Sequence, residues 1–258
     1  MRTKRKTLTA VMVMVAIGLA AGAADAATVA VDDFATGFLR QGSYTITPAD
    51  LPGFDPSGSN KLIVTTSGEK PGHYGGQGYV TSMTYNGASL TEAVQDNNSI
   101  QVTSVFYLDG PGAAGDLVVN IDSGLNGIGV SLLAVSGTAP GVAMTNSNTG
   151  QSTTLTTVLA DTFVVASHAN NGSGATAQSP LTPLLDADVG SAGGGSGYAY
   201  IASPGLVTLS FTGSTNRPVT AAAGFAPQPV VIPEPMTMLA VGLSVAGLGG
   251  YVCRRRRA

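Results

Sequence analysis

Apolar side chains recur at every second position along several stretches of this chain. Val102, Ser104, Phe106 and Leu108 form one such series, and Leu117, Val119 and Ile121 a second. Ile128, Val130, Leu132 and Ala134 form a third, and Val207, Leu209 and Phe211 a fourth. Successive side chains of a strand point to opposite faces, so this alternation predicts strands with one face on a core. Less regular strands are expected at Leu62–Thr66, Tyr79–Tyr85, Leu155–Leu159, Thr162–Ala166, Gly197–Ile201 and Val219–Phe225. Asn86-Gly87, the run Asp109-Gly110-Pro111-Gly112 and the run Ser123-Gly124-Leu125-Asn126-Gly127 punctuate these segments as antiparallel turns do.

Only Leu90–Asn97 and Leu181–Leu185 offer helical segments, and neither is long enough to cover a sheet. A parallel sheet would need crossover helices between its strands. The expected fold class is therefore all-β: a two-sheet antiparallel β-sandwich, immunoglobulin-like or jelly-roll-like, spanning residues 27–226. Three polar zones read as softer: Ser67–Gly78, the Asn/Ser/Thr/Gly/Gln stretch Asn146–Thr154, and the glycine-rich loop Asp186–Gly197, DADVGSAGGGSG. No internal repeat of constant period is visible. Residues 227–232, between Pro227 and Pro233, read as an extended tether.

The pattern changes at both ends. Met1–Lys6 carries four basic residues, Leu8–Ala21 is uncharged, and Ala24-Asp25-Ala26 supplies the small residues of a cleavage site before Ala27. This is the anatomy of a secretory signal peptide over residues 1–26. At the other end, Met236–Val252 is free of charge and is followed by Arg254, Arg255, Arg256 and Arg257. As a helix, a segment of that length reaches about 25 Å, enough to cross a thin bilayer, with the arginines as a cytoplasmic stop. The expected topology exports the body and holds the tail in the membrane.

Eight of the 12 basic residues belong to these terminal segments, which leaves Arg40, Lys61, Lys70 and Arg217 in the body. Four basic residues there stand against 13 acidic ones, a difference of −9. Nucleic acid is thereby disfavoured as a partner, because it requires a basic face. The single cysteine, Cys253, lies beside the arginines, so the body contains no thiol for a disulfide.

Chemistry in the body is sparse. His73 and His168 have no acidic or cysteine companions at metal-ligand spacing, and no serine lies in a nucleophile elbow. No cofactor is expected and no catalytic residue is assigned. Asp186 and Asp188 at the start of the glycine-rich zone, with Asp32-Asp33, are weak calcium candidates, since carboxylates supply calcium's oxygen ligands; a solvated turn is the competing reading. Tyr198 and Tyr200 share one strand face and form a candidate sugar-stacking platform, or else belong to the core or sheet surface.

Pro233-Glu234-Pro235, the apolar run 236–252 and the cluster Arg254–Arg257 follow one another at the C-terminus and resemble the sorting tail of the PEP-CTERM family. That family commonly has serine where Met236 stands. The resemblance covers residues 233–258 and implies passage through signal peptidase and the export machinery, recognition by an exosortase-like membrane protein, and delivery to the outer surface or extracellular matrix, with glycosylation frequent. The body is similar, more loosely, to sandwich domains of secreted bacterial surface proteins, through Tyr85-Asn86-Gly87, through Phe106–Pro111 leading into Gly115–Val119, and through Leu206–Phe211 with Ala221–Ala226. The resulting expectation is a non-enzymatic structural or adhesive protein at the cell surface. A carbohydrate-binding module recognising extracellular polysaccharide is the alternative, and a hydrolase would require convergent carboxylates or a metal.

Overall fold

A computed structural model describes residues 28–40, 44–69, 80–98, 100–121, 127–189 and 192–229. The signal segment with Ala24, Ala26 and Ala27, the sorting triplet Pro233-Glu234-Pro235, the expected span 236–252 and Arg254–Arg257 all lie outside the described residues. Among the described residues there is no helix, and therefore none long and apolar enough to cross a membrane.

The body, Ala27–Gln228, is an antiparallel all-β unit. Its first half contains β1 (Ala30–Arg40), β2 (Thr45–Ile46), β3 (Lys61–Glu69), β4 (Val80–Tyr85), β5 (Ala88–Ser89), β6 (Thr91–Asn98), β7 (Gln101–Asp109), β8 (Leu117–Ile121) and β9 (Gly127–Ser136). Its second half contains β10 (Met144–Asn148), β11 (Ser152–Thr157), β12 (Thr162–Asn170), β13 (Ala175–Ala177), β14 (Thr182–Val189), β15 (Ala192–Ile201), β16 (Gly205–Gly213) and β17 (Val219–Phe225). The first half forms a five-stranded sheet in the order β1-β9-β3-β7-β6 and a four-stranded sheet β2-β8-β4-β5. The second half forms a five-stranded sheet β10-β17-β12-β15-β14 and a three-stranded sheet β11-β16-β13.

These orders are the same order written twice. Replacing β1, β9, β3, β7 and β6 by β10, β17, β12, β15 and β14 converts one large sheet into the other, and β2, β8 and β4 likewise become β11, β16 and β13. The body is thus two sandwiches of one topology, four sheets rather than the expected two. Equivalent positions drift along the chain. Ile63 lies opposite Tyr107 and Leu133, whereas Phe163 lies opposite Tyr200 and Phe225, so the spacing between counterparts shrinks from half to half and no constant period survives.

The two five-stranded sheets pack face to face. β3 touches β12 and β15 while β12 touches β3 and β7, and β6 touches β17 while β14 touches β9, a reciprocal pattern of the kind a two-fold axis produces between identical partners. Three cores result. Leu62, Val64, Phe106, Leu117, Val119 and Leu132 fill the first sandwich, and Leu155, Val164, Ala166, Leu209 and Phe211 the second. Between them Ile63, Val105, Leu133, Val135, Phe163, Val165, Ala223 and Phe225 form a seam. β3, β12 and β17 are consequently buried along their whole length, on both faces. Period-two reasoning assigns such strands a single apolar face. The continuous runs Leu132–Val135, Phe163–Ala166 and Ala221–Ala223 are what double burial demands.

Several local expectations change. Leu90–Asn97 is not helical: β6 covers Thr91–Asn98, with a register irregularity between Glu92 and Val94. Leu181–Leu185 leads into strand β14 instead of a helix. The polar zone Asn146–Thr154 is largely strand, divided between β10 and β11. The glycine-rich zone Asp186–Gly197 is not a loop but the two arms of a hairpin, β14 and β15. Its glycines allow close approach: a Cβ on Gly195 would collide with the Ala175 carbonyl oxygen, and one on Gly193 would lie 2.5 Å from the Gly174 carbonyl oxygen. The backbone leading into β13 therefore lies directly on β15 because no side chain stands between them. Residues 227 and 228, expected to open the tether, are held by the body: Pro227 bridges Thr138 and the Gln228 N–H donates to the Gly137 carbonyl at 2.7 Å.

Phe163 sits at the centre of the seam. Truncating it leaves a cavity between two sheets that cannot collapse independently, so Phe163→Ala is expected to lower the stability of the body by about 3 to 5 kcal/mol. Urea unfolding followed by circular dichroism checks this, and a midpoint equal to the parent's would show that the seam does not hold the halves together.

Candidate functional site

The chemistry-bearing side chains of the body gather along the seam, and their character changes from one end to the other. At the end where the body begins and finishes, the seam is aromatic and holds one charge pair. Lys61 is wholly buried at the start of β3, although it is one of four basic residues in the body. Its strand neighbour is Asp109, the last residue of β7, and its Nζ contacts Asp109 Oδ1 directly. The same Nζ donates to the Gly141 carbonyl at 3.0 Å, while the Gly141 N–H donates to Asp109 Oδ2 at 2.9 Å. The rings of Tyr107, from the first half, and Phe225, from the second, have centroids 4.7 and 5.3 Å from Nζ. Burial pushes the Lys61 amine below its ordinary value, against the opposing hydrogen bond and charge of Asp109.

Towards the opposite end the seam becomes hydroxylic. Ser167 Oγ of β12 donates across it to the Thr66 carbonyl at 2.9 Å, which also receives Thr103 Oγ1 at 3.2 Å. Ser131 and Ser196 meet across it at 2.6 Å. Gln101 is buried, and neither amide atom has a hydrogen-bond partner among the described residues.

The tyrosines singled out from sequence do lie together on β15. Their ring centroids are 5.9 Å apart, but the planes cross at 87°, so the pair does not present one flat surface. Both rings rest on Phe163, at 5.6 and 5.3 Å. Tyr198 packs into the seam, whereas Tyr200 is 46 % exposed and its hydroxyl accepts from the Val31 N–H at 2.9 Å. Burial and this hydrogen bond act oppositely on the Tyr200 phenol, and burial prevails, raising it. That contact sets Tyr200 beside β1, whose outward positions include Phe34 and Phe38, 56 % and 50 % exposed. Sequence reasoning passed over these phenylalanines because β1 did not register as a strand.

Asp186 and Asp188 are occupied by the protein's own backbone. Asp186 accepts from the Ala175 N–H at 3.1 Å and from Thr176 Oγ1, and Asp188 accepts from the Gly174 N–H at 3.1 Å. They secure β13 and its approach to the β14–β15 hairpin, a structural task. Asp32 accepts from Ser59 and Ser136, and Asp33 from the Phe34 and Asp55 N–H groups. No group of three or more His, Cys, Asp or Glu side chains arranged for a metal ion occurs among the described residues.

His168 is buried in the second sandwich, stacked on Phe211 at 5.0 Å and 11°. Its Nδ1 lies 2.8 Å from Thr220 Oγ1, whose own proton goes to the Gly150 carbonyl at 2.6 Å. Thr220 must therefore accept, which places the imidazole proton on Nδ1 and leaves Nε2 bare, without a partner. A second proton would enter an apolar site, and burial lowers the imidazole pKa to about 4.

Because the folded value lies below the unfolded one, the unfolded chain binds the proton more readily. His168 thus costs no stability above pH 6.5 and progressively more as the pH falls towards 4. Between pH 6.5 and 5 the loss is expected to be about 1.5 kcal/mol. His168→Phe, which keeps the ring stack, is expected to flatten this part of a stability–pH profile measured by urea unfolding. An unchanged slope would assign the acid limb to other groups.

In comparisons with known proteins, no family model, no curated protein and no solved structure matches this chain.

Proposed function

We propose that this protein is an exported structural or adhesive protein, delivered to the cell surface or extracellular matrix through a C-terminal sorting tail. The reading rests on one observation above all: a signal segment ending at Ala26 and the sequence Pro233-Glu234-Pro235, apolar run, Arg254–Arg257 frame a body that carries almost no basic charge. The body's shape agrees with it. A Cβ on Gly137 would collide with the Thr28 carbonyl, and Gln228 hydrogen-bonds to Gly137, so the first and last strands begin and finish side by side. A protein held by its tail is then held by one end of its body. The order β1-β9-β3-β7 against β2-β8-β4-β5 supports a jelly roll in the first half, and the second repeats it without a counterpart of β5; we assign that topology to both, with β6 and β14 as added edge strands. The assignment is non-enzymatic: the body is exported to be present and not to turn over a substrate.

In this reading the triplet is held extended just outside the membrane, where an exosortase-like partner cuts, and the arginines fix the depth of the helix. Replacing Pro233, Glu234 and Pro235 together by alanine is expected to leave export intact while full-length chain accumulates in the inner membrane. Blotting of fractions from the native host with an antibody to the body checks this. Trimming and surface arrival at the parent rate would remove the sorting role and leave a permanent single-span anchor.

A second reading, polysaccharide binding, is favoured by the exposed rings of Phe34, Phe38 and Tyr200. Phe34 and Phe38 project from the same face of β1 about 13 Å apart, a spacing suited to stacking on separate sugars of one chain. Phe34→Ala with Phe38→Ala is expected to abolish retention of the purified protein on the polysaccharide that a glycan array identifies. An array without a single ligand would leave display as the function.

A further inference from the structure

We propose that Lys61 and Asp109 are joined by an intramolecular amide bond that the folded chain forms by itself. Four features of the site carry the inference. The two residues are direct neighbours across β3 and β7, so the fold holds amine and carboxyl together without a loop to order. Nζ lies against Oδ1, the atom that must leave. One residue, Gly141, braces both partners, its carbonyl 3.0 Å from Nζ and its N–H 2.9 Å from Oδ2. The rings of Tyr107 and Phe225 enclose the amine, whose side chain has no exposed surface.

The chemistry follows from that enclosure. Enclosure strips the Lys61 ammonium of the hydration that favours its charge, so that Nζ can pass a proton to Oδ1 and be left as a neutral amine. The amine lone pair then attacks Asp109 Cγ. Charge builds on Oδ2, where the Gly141 N–H already donates, as an oxyanion-binding group does. The C–N bond forms, the bond from Cγ to Oδ1 breaks, and Oδ1 departs as water with the two protons that the nitrogen has shed. Ammonium and carboxylate become amide and one water, with no oxidant, reductant or cofactor. The Asp109 side chain is 39 % exposed, which gives the water a way out. Proximity of this kind replaces the activation that an intermolecular amide would require.

Such a bond would tie β3 to β7 beside the connection between the two sandwiches, in a body that contains no cysteine and that a reductant could not loosen. An ordinary ion pair between a buried lysine and a partly exposed aspartate is the other outcome of the test. The full-length chain, purified and denatured, is weighed by mass spectrometry beside a Lys61→Arg variant prepared in the same way, so that trimming at the ends cancels. The parent is expected to be lighter than its sequence by one water, and the variant to have its full mass. Digestion with trypsin after denaturation gives an independent readout: the parent should resist cleavage after residue 61, while the variant releases the fragment 41–61. A parent of full mass that releases the same fragment would overturn the proposal and leave Lys61 and Asp109 as an ion pair. Because both measurements are made on unfolded chain and turn on the parent, a poorly folding variant would not obscure the result.

Discussion

The structure depends on one constraint, the burial of both five-stranded sheets against each other. A sheet in an ordinary sandwich keeps one face for the core and one for water, but here β3, β12 and β17 have no water-facing side. Their side chains must be apolar, small or internally hydrogen-bonded on both faces. Ile63, Phe163, Leu133 and Phe225 meet the demand with volume, and Ala221–Ala223 with small side chains on the strand that lies next to β12. Where the seam turns polar, hydroxyls bond across it, Ser131 to Ser196 and Ser167 to the Thr66 carbonyl. A buried hydroxyl without a partner would cost about 1 to 3 kcal/mol, so these bonds between the halves fix their relative placement as well as satisfying their donors.

Duplication of one topology supplies the two faces. Because the halves bury equivalent sheets against each other, the seam resembles a symmetric dimer interface formed within a single chain, and the connection through Gly137 and Gly141 removes the concentration dependence that a true dimer would have. The halves differ in detail. The first carries the charge pair Lys61–Asp109 and the extra strand β5, and the second carries the buried His168 and the glycines of β15 on which the approach to β13 lies. The packing leaves exposed the aromatic side chains of Phe34, Phe38 and Tyr200.

Most of the body's strands and their antiparallel connections were legible in the residues, because alternation and glycine-bearing turns are local signals. So was the charge asymmetry, which depends on composition alone. Leu90–Asn97 and Asp186–Gly197 misled for a common reason: each is polar or glycine-rich along its own length, and only a neighbouring strand makes it a strand. For β6 that neighbour is β7, and for the glycine run it is β14, with Ala175 crossing above.

What the sequence determined by itself was therefore a class, all-β and antiparallel. The number of sheets, the duplication and the seam were decided by tertiary structure. Lys61 and Asp109 are separated along the chain by three intervening strands, and no spacing rule joins them until β3 pairs with β7. Asp186 and Asp188 read from sequence as weak calcium candidates or as a solvated turn, and the fold brings the backbone N–H groups of Ala175 and Gly174 to them. Strand alternation is written in neighbouring residues, whereas the partner of a buried charge is set by which faces meet, and that is a property of the packed chain.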